Sequence, residues 1–272
     1  MTAPLLLSLV LAAAETGGLP AGTSPPILKD IGFEQRLGER LPLDAVFKDD
    51  AGKGVRLGDY FGKKPVLLSL NYYGCPMLCT VSLTGFASAL AILSMDAGKE
   101  FEIVTVSFDP REGPALAAEK KASYLARYKR PSAENGWHFL TGDQANIDRL
   151  TKAVGFRYAW DEETKQFAHP AGLVVLTPDG KIARYLFGIE YAPRDLRFAL
   201  VEASAGRIGT LVDQAILYCY QYDPATGRYG PSVMRILRSL SVLTVVALVA
   251  FIALMLRRER RSAKLVVLAG GR

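Results

Sequence analysis

The sequence predicts an α/β sandwich domain followed by a single membrane-spanning helix. The apolar run Pro65–Leu70 is typical of a buried strand, Phe101–Phe108 is predicted as a second one, and each precedes a stretch of helical character. A hairpin and a further helix follow, and a charge-free apolar run occupies Leu240–Leu256. Strands that alternate with helices and end in a hairpin and a helix favour a sandwich of the thioredoxin type.

The elements of the domain are predicted from local signals. Asp143 is a candidate N-cap, the helix over 114–128 has acidic residues early and basic residues late, and Pro178-Asp179-Gly180 favours a hairpin turn. Strands are expected at 43–47, 55–57, 65–70, 101–108, 137–140, 173–176 and 182–187. Helices are expected at 81–95, 114–128, 143–154 and 193–206.

The N-terminal region has the composition of a targeting segment. Met1–Ala14 is apolar and ends in small residues, which is typical of a signal peptide, although no Lys or Arg precedes Lys29. Residues 15–26 are rich in Gly, Pro, Ser and Thr and are expected to form a linker. The globular domain is expected over 27–206.

The C-terminal region predicts a membrane anchor. The apolar span 239–256 is about 17 to 18 residues long, near the lower limit for crossing a bilayer. A connector rich in tyrosine, 207–238, precedes it, and a basic tail, 257–272, follows. Since Lys and Arg are more frequent after the span than just before it, the tail is expected in the cytoplasm. A cleaved signal peptide predicts the same topology, so we expect a bacterial inner-membrane protein with a periplasmic domain.

Composition narrows the function. The chain has 272 residues and a net charge of +6, but much of that charge lies near the C-terminus, and no basic face with interleaved aromatic residues is evident. Nucleic-acid binding is therefore not expected. Three cysteines are too few for a disulfide scaffold, and two of them are close together, which favours a specific site.

Cys75 and Cys79 lie where a predicted strand meets a predicted helix. Pro76 suits the first helical position, which places the two sulfur atoms one turn apart near the positive end of the helix dipole. That environment favours thiolate over thiol. Two adjacent thiolates can form a disulfide or bind a soft metal ion.

A third ligand would complete a metal site. A structural zinc site needs four ligands, which this chain does not supply in a recognisable pattern, whereas cuprous copper accepts two thiolates and one imidazole. The two histidines are His138 and His169. His169 precedes the strand at 173–176, in a loop that a thioredoxin-type fold places against the cysteine helix. His138 lies inside a short strand, where a packed imidazole is the ordinary outcome.

Four motifs in order along 27–206 resemble those of the Sco/SenC family of membrane-anchored copper chaperones, which serve cytochrome c oxidase assembly. They are Cys75-Pro-x-x-Cys79, Ser107-Phe-Asp-Pro-Arg111, Trp137-x-Phe-Leu-Thr-Gly142, and His169 ahead of Leu176-x-Pro-Asp-Gly180. The resemblance implies a thioredoxin-like fold that binds copper as Cu(I), with Cu(II) left open.

The same resemblance implies that Cys75, Cys79 and His169 are the copper ligands. It also implies delivery of copper to the dinuclear centre of a cytochrome c oxidase subunit, after receipt from a copper donor protein. Two features depart from the family pattern. Many members carry an acidic residue where this chain has Met77, and many are anchored at the N-terminus.

Further residues have two interpretations each. Arg111 is either part of the site rim and docking surface or a solvated side chain of a capped loop. Asp109 is a weaker candidate for orienting a ligand or accepting backbone hydrogen bonds. Met77 is either a weak extra donor or a packing residue, and packing is favoured. Cys219 is either part of an interfacial aromatic belt, which is favoured, or a second metal or redox contact.

Two other functions remain as alternatives. An extracytoplasmic thiol-disulfide oxidoreductase that keeps a partner's cysteines reduced would need only Cys75 and Cys79. Their spacing of three intervening residues departs from the usual two and favours copper. A peroxidase of the peroxiredoxin kind ranks last, because Tyr72 stands where such an enzyme would have threonine.

Overall fold

The structure is a computed structural model that describes residues 30–75 and 78–208, together with 222–223, 228–229, 239–246, 248–249, 251–252 and 255. Contacts divide the chain into two compact units, Met1–Gly209 and Thr210–Arg272. The predicted signal peptide, the linker, Pro76, Met77, Cys219 and the basic tail lie outside the described residues, as does most of the connector.

The first unit contains eleven of the described strands and four α-helices. The strands are β1 (Gly32–Phe33), β2 (Val46–Lys48), β3 (Gly54–Arg56), β4 (Val66–Asn71), β5 (Glu102–Ser107), β6 (Trp137–Leu140), β7 (Phe156–Arg157), β8 (Ala159–Asp161), β9 (Gln166–Ala168), β10 (Gly172–Leu176) and β11 (Ile182–Phe187). The helices are α1 (Leu78–Ile92), α2 (Pro114–Tyr128), α3 (Gln144–Ala153) and α4 (Pro193–Ser204). Short 3-10 helices cover Leu57–Tyr60 and Pro131–Asn135.

A five-stranded sheet in the order β11-β10-β4-β5-β6 forms the centre of this unit. β4, β5 and β6 are parallel, whereas β10 is antiparallel to both β4 and β11. All six residues of β4 are buried, as expected of a central strand covered on both faces. The remaining described strands of this unit form the two-stranded pairs β1-β7, β2-β3 and β8-β9.

The core has two parts because alternate strand residues point to opposite faces of the sheet. On one face, Leu67 and Ile103 pack with residues of α1, α2 and α4, among them Phe86. On the other face, Leu68 and Val104 pack with residues of α3 and the N-terminal strands. The layers are therefore helix, sheet, helix, which confirms the predicted α/β sandwich.

Several predicted elements are confirmed at their boundaries. α2 and β6 begin and end at the predicted residues, and the Asp143 side chain caps α3 by accepting a hydrogen bond from the Asn146 N–H at 2.8 Å. α1 begins three residues before the predicted position and ends before the turn that contains Gly98, whose φ is 85°. The β1-β7 and β8-β9 pairs were not predicted, because their strands have only two or three residues and, unlike those of β2-β3, are not joined by a turn that contains glycine.

The second unit is described only in parts. β12 (Tyr222–Asp223) pairs antiparallel with β13 (Arg228–Tyr229). Residues 239–246, 248–249, 251–252 and 255 are helical, and they fall within the predicted span. Among the described residues, no helix has both the length and the apolar character needed to cross a membrane.

Candidate metal centre

The cysteine loop leads from the end of β4 into α1. Cys75 and Cys79 are free thiols and are buried, with 6% and 2% of their surfaces exposed. The Cys79 backbone N–H, in the first turn of α1, donates to the Cys75 sulfur at 3.4 Å. The N-terminal end of α1 therefore faces the Cys75 sulfur, where its dipole favours negative charge.

His169 lies in the loop between β9 and β10 and is also buried, with 6% of its surface exposed. Its Nε2 atom lies 3.1 Å from the Cys79 sulfur. The donor atoms of Cys75, Cys79 and His169 all lie within 4.8 Å of one another. In the described part of the chain, this is the one group of three His, Cys, Asp or Glu side chains identified with donor atoms placed to hold a metal ion.

The second ring nitrogen of His169 fixes the tautomer. Nδ1 lies 3.0 Å from the Pro170 carbonyl oxygen. Because a carbonyl oxygen only accepts, Nδ1 must carry the hydrogen and donate it. Nε2 is then the ring nitrogen that faces the Cys79 sulfur and is placed to bind a metal ion.

The two thiols have opposite proton affinities. The hydrogen bond with the Cys79 thiol is the main cause that lowers the pKa of Cys75, and the His169 and Tyr72 side chains contribute to the same effect. Burial is the main cause that raises the pKa of Cys79, and the neighbouring Cys75 raises it further. Cys75 is therefore the more acidic of the two thiols.

Aromatic side chains enclose the histidine. Tyr72, Phe108 and Phe156 lie with ring centroids 5.8, 5.2 and 6.4 Å from that of His169. Phe167 contacts both Tyr72 and Phe108, at 5.6 and 5.7 Å between centroids. This wall limits access of water to the sulfur atoms and strengthens electrostatic interactions within the site.

His138 is held away from this cluster. Its Nε2 atom lies 3.3 Å from a Glu102 carboxylate oxygen, and its ring packs on Tyr60 with 4.2 Å between centroids. Glu102 also accepts a hydrogen bond from Lys64 at 2.7 Å. His138 is thus a packed imidazole in an ion-pair network.

The turn after β5 contains Asp109 and Arg111, two residues that the sequence offered as candidates near the site. Asp109 is buried and accepts hydrogen bonds from the Arg111 guanidinium, from Nε at 2.8 Å and from Nη2 at 2.6 Å. Asp109 also accepts a hydrogen bond from the Arg111 backbone N–H at 3.0 Å, in agreement with one interpretation of its sequence position. The Arg111 side chain is 62% exposed, as its interpretation as a solvated side chain predicts, and it is also ion-paired with Asp109.

Glu112 is a supporting residue that sequence reasoning missed. Its carboxylate accepts hydrogen bonds from the backbone N–H groups of Tyr73 and Gly74, at 2.7 and 2.6 Å, and from the Ser107 hydroxyl at 2.5 Å. Tyr73 and Gly74 directly precede Cys75. Nothing in the sequence around Glu112 marks it, because its partners lie up to 39 residues away.

The fold and the cluster together define a class of protein. A thioredoxin-like sandwich that places two cysteines and one histidine at the start of its first long helix is a thiol-based metal-binding or redox domain. The family model described as SCO1/SenC matches residues 42–200, which is more than half of the chain. The chain belongs to the SCO1/SenC family.

Two curated relatives agree with this assignment. A candidate copper-binding protein from Stutzerimonas stutzeri is 24% identical over 124 residues, which cover 44% of this chain and 56% of the relative. A protein described as an SCO1 protein homolog from Bacillus subtilis is 26% identical over 154 residues, covering 55% of this chain and 75% of the relative. The chain thus spans little more than half of the first relative's length.

Solved structures share the fold. A candidate electron transfer protein from Aquifex aeolicus is 25% identical with a TM-score of 0.57, and the match covers 65% of this chain and 98% of that one. A SCO1/SenC family lipoprotein from Bacillus anthracis is 17% identical with a TM-score of 0.51, covering 64% of this chain and 99% of that one. The second similarity shows the fold alone.

Proposed function

We propose that this protein binds copper, as Cu(I), through Cys75, Cys79 and His169. The observation that carries the proposal is the buried cluster itself, in which two sulfur atoms and one imidazole nitrogen lie within 4.8 Å of one another. Soft thiolate ligands select Cu(I), and an imidazole is a suitable third donor. Membership of the SCO1/SenC family and the copper-binding description of the Stutzerimonas relative support the same metal.

The three donor groups differ in how ready they are to bind a metal ion. Cys75 offers a thiolate, because the Cys79 thiol and the other neighbouring groups lower its pKa. His169 offers its Nε2 lone pair, since Nδ1 donates to the Pro170 carbonyl. Cys79 must lose its proton when the metal binds, so copper binding is expected to release one proton from this residue.

We propose further that the bound copper is cargo, delivered to the dinuclear copper centre of a cytochrome c oxidase subunit after receipt from a copper donor protein. The motifs that resemble the Sco/SenC family support this role. The apolar run 239–256 and the basic residues after it support an anchor in the bacterial inner membrane with the domain in the periplasm. The apolar N-terminus supports export by a signal peptide.

Anaerobic titration with Cu(I) tests the metal site. The full chain in detergent, reduced beforehand, is expected to bind one Cu(I) tightly, and His169→Ala is expected to weaken binding. His138→Ala is the matched control, because it removes the other histidine, which lies outside the cluster. Equal affinities of the His169→Ala variant and the parent protein would contradict the three-ligand site.

Thiol-disulfide exchange is the second candidate function. The lowered pKa of Cys75 favours it, because a thiolate is the attacking species. The Cys75 thiolate would attack a partner's disulfide and release one partner sulfur as a thiolate. Cys79, after losing its proton, would then attack the mixed disulfide, leaving a Cys75–Cys79 disulfide and a reduced partner. Rapid exchange with a model disulfide, without tight Cu(I) binding, would favour this function.

A further inference from the structure

The turn Asp109–Glu112 contacts both chain segments that supply the proposed ligands. One segment is the cysteine loop before Cys75, and the other is the β8-β9 hairpin, which leads into His169. These two segments are distant in sequence. Their relative position therefore depends on contacts between the two segments and on the residues that bind each segment.

Glu112 holds the cysteine loop. Its two carboxylate oxygens bind the backbone N–H groups of Tyr73 and Gly74, and one of them also binds the Ser107 hydroxyl. Hydrogen bonds to a charged carboxylate are stronger than neutral ones. A Cβ atom on Gly74 would lie 3.1 Å from a Glu112 oxygen, so the glycine permits this close approach.

Arg111 holds the hairpin. Its guanidinium carbon lies 4.8 Å from the centroid of Trp160 in β8 and 5.4 Å from that of Phe167 in β9. The side chain is 62% exposed, yet its bonds to both Asp109 oxygens fix its orientation. Phe167 precedes His169 by two residues and packs on Tyr72 and Phe108, which both contact the histidine ring.

We propose that Arg111 and Glu112 are positioning residues that hold the imidazole and the two sulfur atoms of the proposed site in place. Arg111 positions the histidine through Trp160 and Phe167, and Glu112 positions the cysteines through the backbone of Tyr73 and Gly74. The main test of this inference rests on the proposed copper function. The inference has two parts, the Arg111 arm and the Glu112 arm, which can be tested separately because Arg111 acts on one ligand and Glu112 on the other two.

A double-mutant cycle tests the Arg111 arm. Cu(I) affinity is measured by chelator competition for the parent protein, Arg111→Ala, His169→Ala and the double variant. Loss of a cation–π contact of this kind is expected to weaken binding by about tenfold in the parent and by little in the His169→Ala background. An equal loss in both backgrounds would show that Arg111 does not act through His169 and would overturn the proposal.

Two further variants sharpen this test. Trp160→Ala removes the stacking partner and is expected to reproduce the effect of Arg111→Ala, with no additional loss when both are changed. Arg149→Ala is the matched control, since it removes an exposed ion pair with Asp44. Should Arg111→Ala fail to fold, as judged by circular dichroism, Trp160→Ala carries the test in its place.

Glu112→Gln tests the other arm. The amide keeps the size of the side chain but removes its charge and turns one acceptor into a donor. Cu(I) affinity is expected to fall by about tenfold, and by the same factor in the His169→Ala background, because the cysteines are displaced in both. A loss confined to the protein with His169 would contradict the assignment of Glu112 to the cysteine loop.

A measurement without metal separates this inference from the proposed function. The chain has two histidines, so selectively labelled protein gives two sets of imidazole NMR signals. Arg111→Ala is expected to shift the His169 signals and leave those of His138 unchanged. If the parent protein bound no Cu(I), the copper function would fail while these signals would still decide the inference. Unchanged His169 signals would overturn it.

Discussion

At the scale of single residues, the site depends on which atom carries each proton. His169 Nδ1 donates to the Pro170 carbonyl, so Nε2 is the ring nitrogen that faces the Cys79 sulfur. The neighbouring thiol lowers the pKa of Cys75, and burial raises that of Cys79. The two thiols therefore differ in acidity, because hydrogen bonds dominate the environment of Cys75 and burial dominates that of Cys79.

This difference predicts the pH dependence of thiolate absorbance in the copper-free, reduced protein. Since its pKa is lowered, Cys75 should remain a thiolate as the pH falls below the usual range of a cysteine and gain its proton only in more acidic solution. In Cys79→Ser the serine hydroxyl can replace the Cys79 thiol as a hydrogen-bond donor, and His169 and Tyr72 also lower the pKa of Cys75. The ultraviolet thiolate band of this variant should therefore persist at low pH better than that of a model thiol.

Cys75→Ser is the matched variant for this titration. It retains Cys79, whose pKa is raised mainly by burial, so its thiolate band should emerge only in strongly alkaline solution. Removal of Cys75 also removes its contribution to that shift, but the burial remains. If the two single-cysteine variants titrated alike, the assigned asymmetry of the pair would be wrong.

The sequence predicted the proposed metal ligands, but it did not predict the residues that hold these ligands in place. Cys75, Cys79 and His169 could be predicted from the sequence, because two cysteines one turn apart limit the chemistry and only two histidines offer a third ligand. Glu112, Trp160 and Phe167 could not be predicted, because their roles arise from contacts between segments that only the folded sheet brings together. A charged residue in a turn has no periodicity that would reveal such a partner.

At the scale of elements, α1 is held at a fixed depth by the loop before α4. Gly85 of α1 lies against the Ile189 carbonyl, and the Ser82 hydroxyl lies 3.4 Å from that of Tyr191. The Tyr191 hydroxyl also donates to the Gly188 carbonyl at 2.7 Å. Since Cys79 lies in the first turn of the same helix, this contact helps to determine where its sulfur is placed.

Gly85→Ala is therefore expected to destabilise the protein. In an open helix this change would add up to about 1 kcal/mol of stability. Here the new Cβ would overlap the Ile189 carbonyl oxygen, which is backbone and cannot rotate away. We expect a net loss of about 1 to 3 kcal/mol in the free energy of unfolding, as for other overpacked sites, measured by urea denaturation.

Gly54→Ala is the control for this change, because Gly54 is exposed, a Cβ there meets nothing within 4 Å, and its φ is not positive. Its free energy of unfolding should change by only a few tenths of a kcal/mol, the usual range for a surface position. A stabilised Gly85→Ala variant would mean that α1 moves away from the loop without cost, and that the loop does not fix its depth.

At the scale of the whole molecule, the proposed function requires a buried copper site in a protein that is anchored to a membrane. The strand and helix pattern of the first unit was predictable, because long apolar runs and caps are local signals. The proposed anchor depends on a different local signal, the charge-free run 239–256 followed by basic residues. A site restricted to a membrane surface would meet a membrane-bound oxidase by diffusion in two dimensions, which favours delivery over storage.

Truncation tests this arrangement. A chain that ends at Ser232 lacks the apolar run but keeps the first unit, with its cysteines and histidine. It is expected to appear in the soluble periplasmic fraction and to bind Cu(I) as the full chain does, while the full chain stays with membranes after a carbonate wash. Replacing two central residues, Val246 and Val249, with arginine in the full chain should have the same effect, because each charge costs about 2.5 to 3.5 kcal/mol near the bilayer centre. If the truncated chain remained with washed membranes, the anchor would have to lie elsewhere, and the uncleaved N-terminal segment would be the next region to remove.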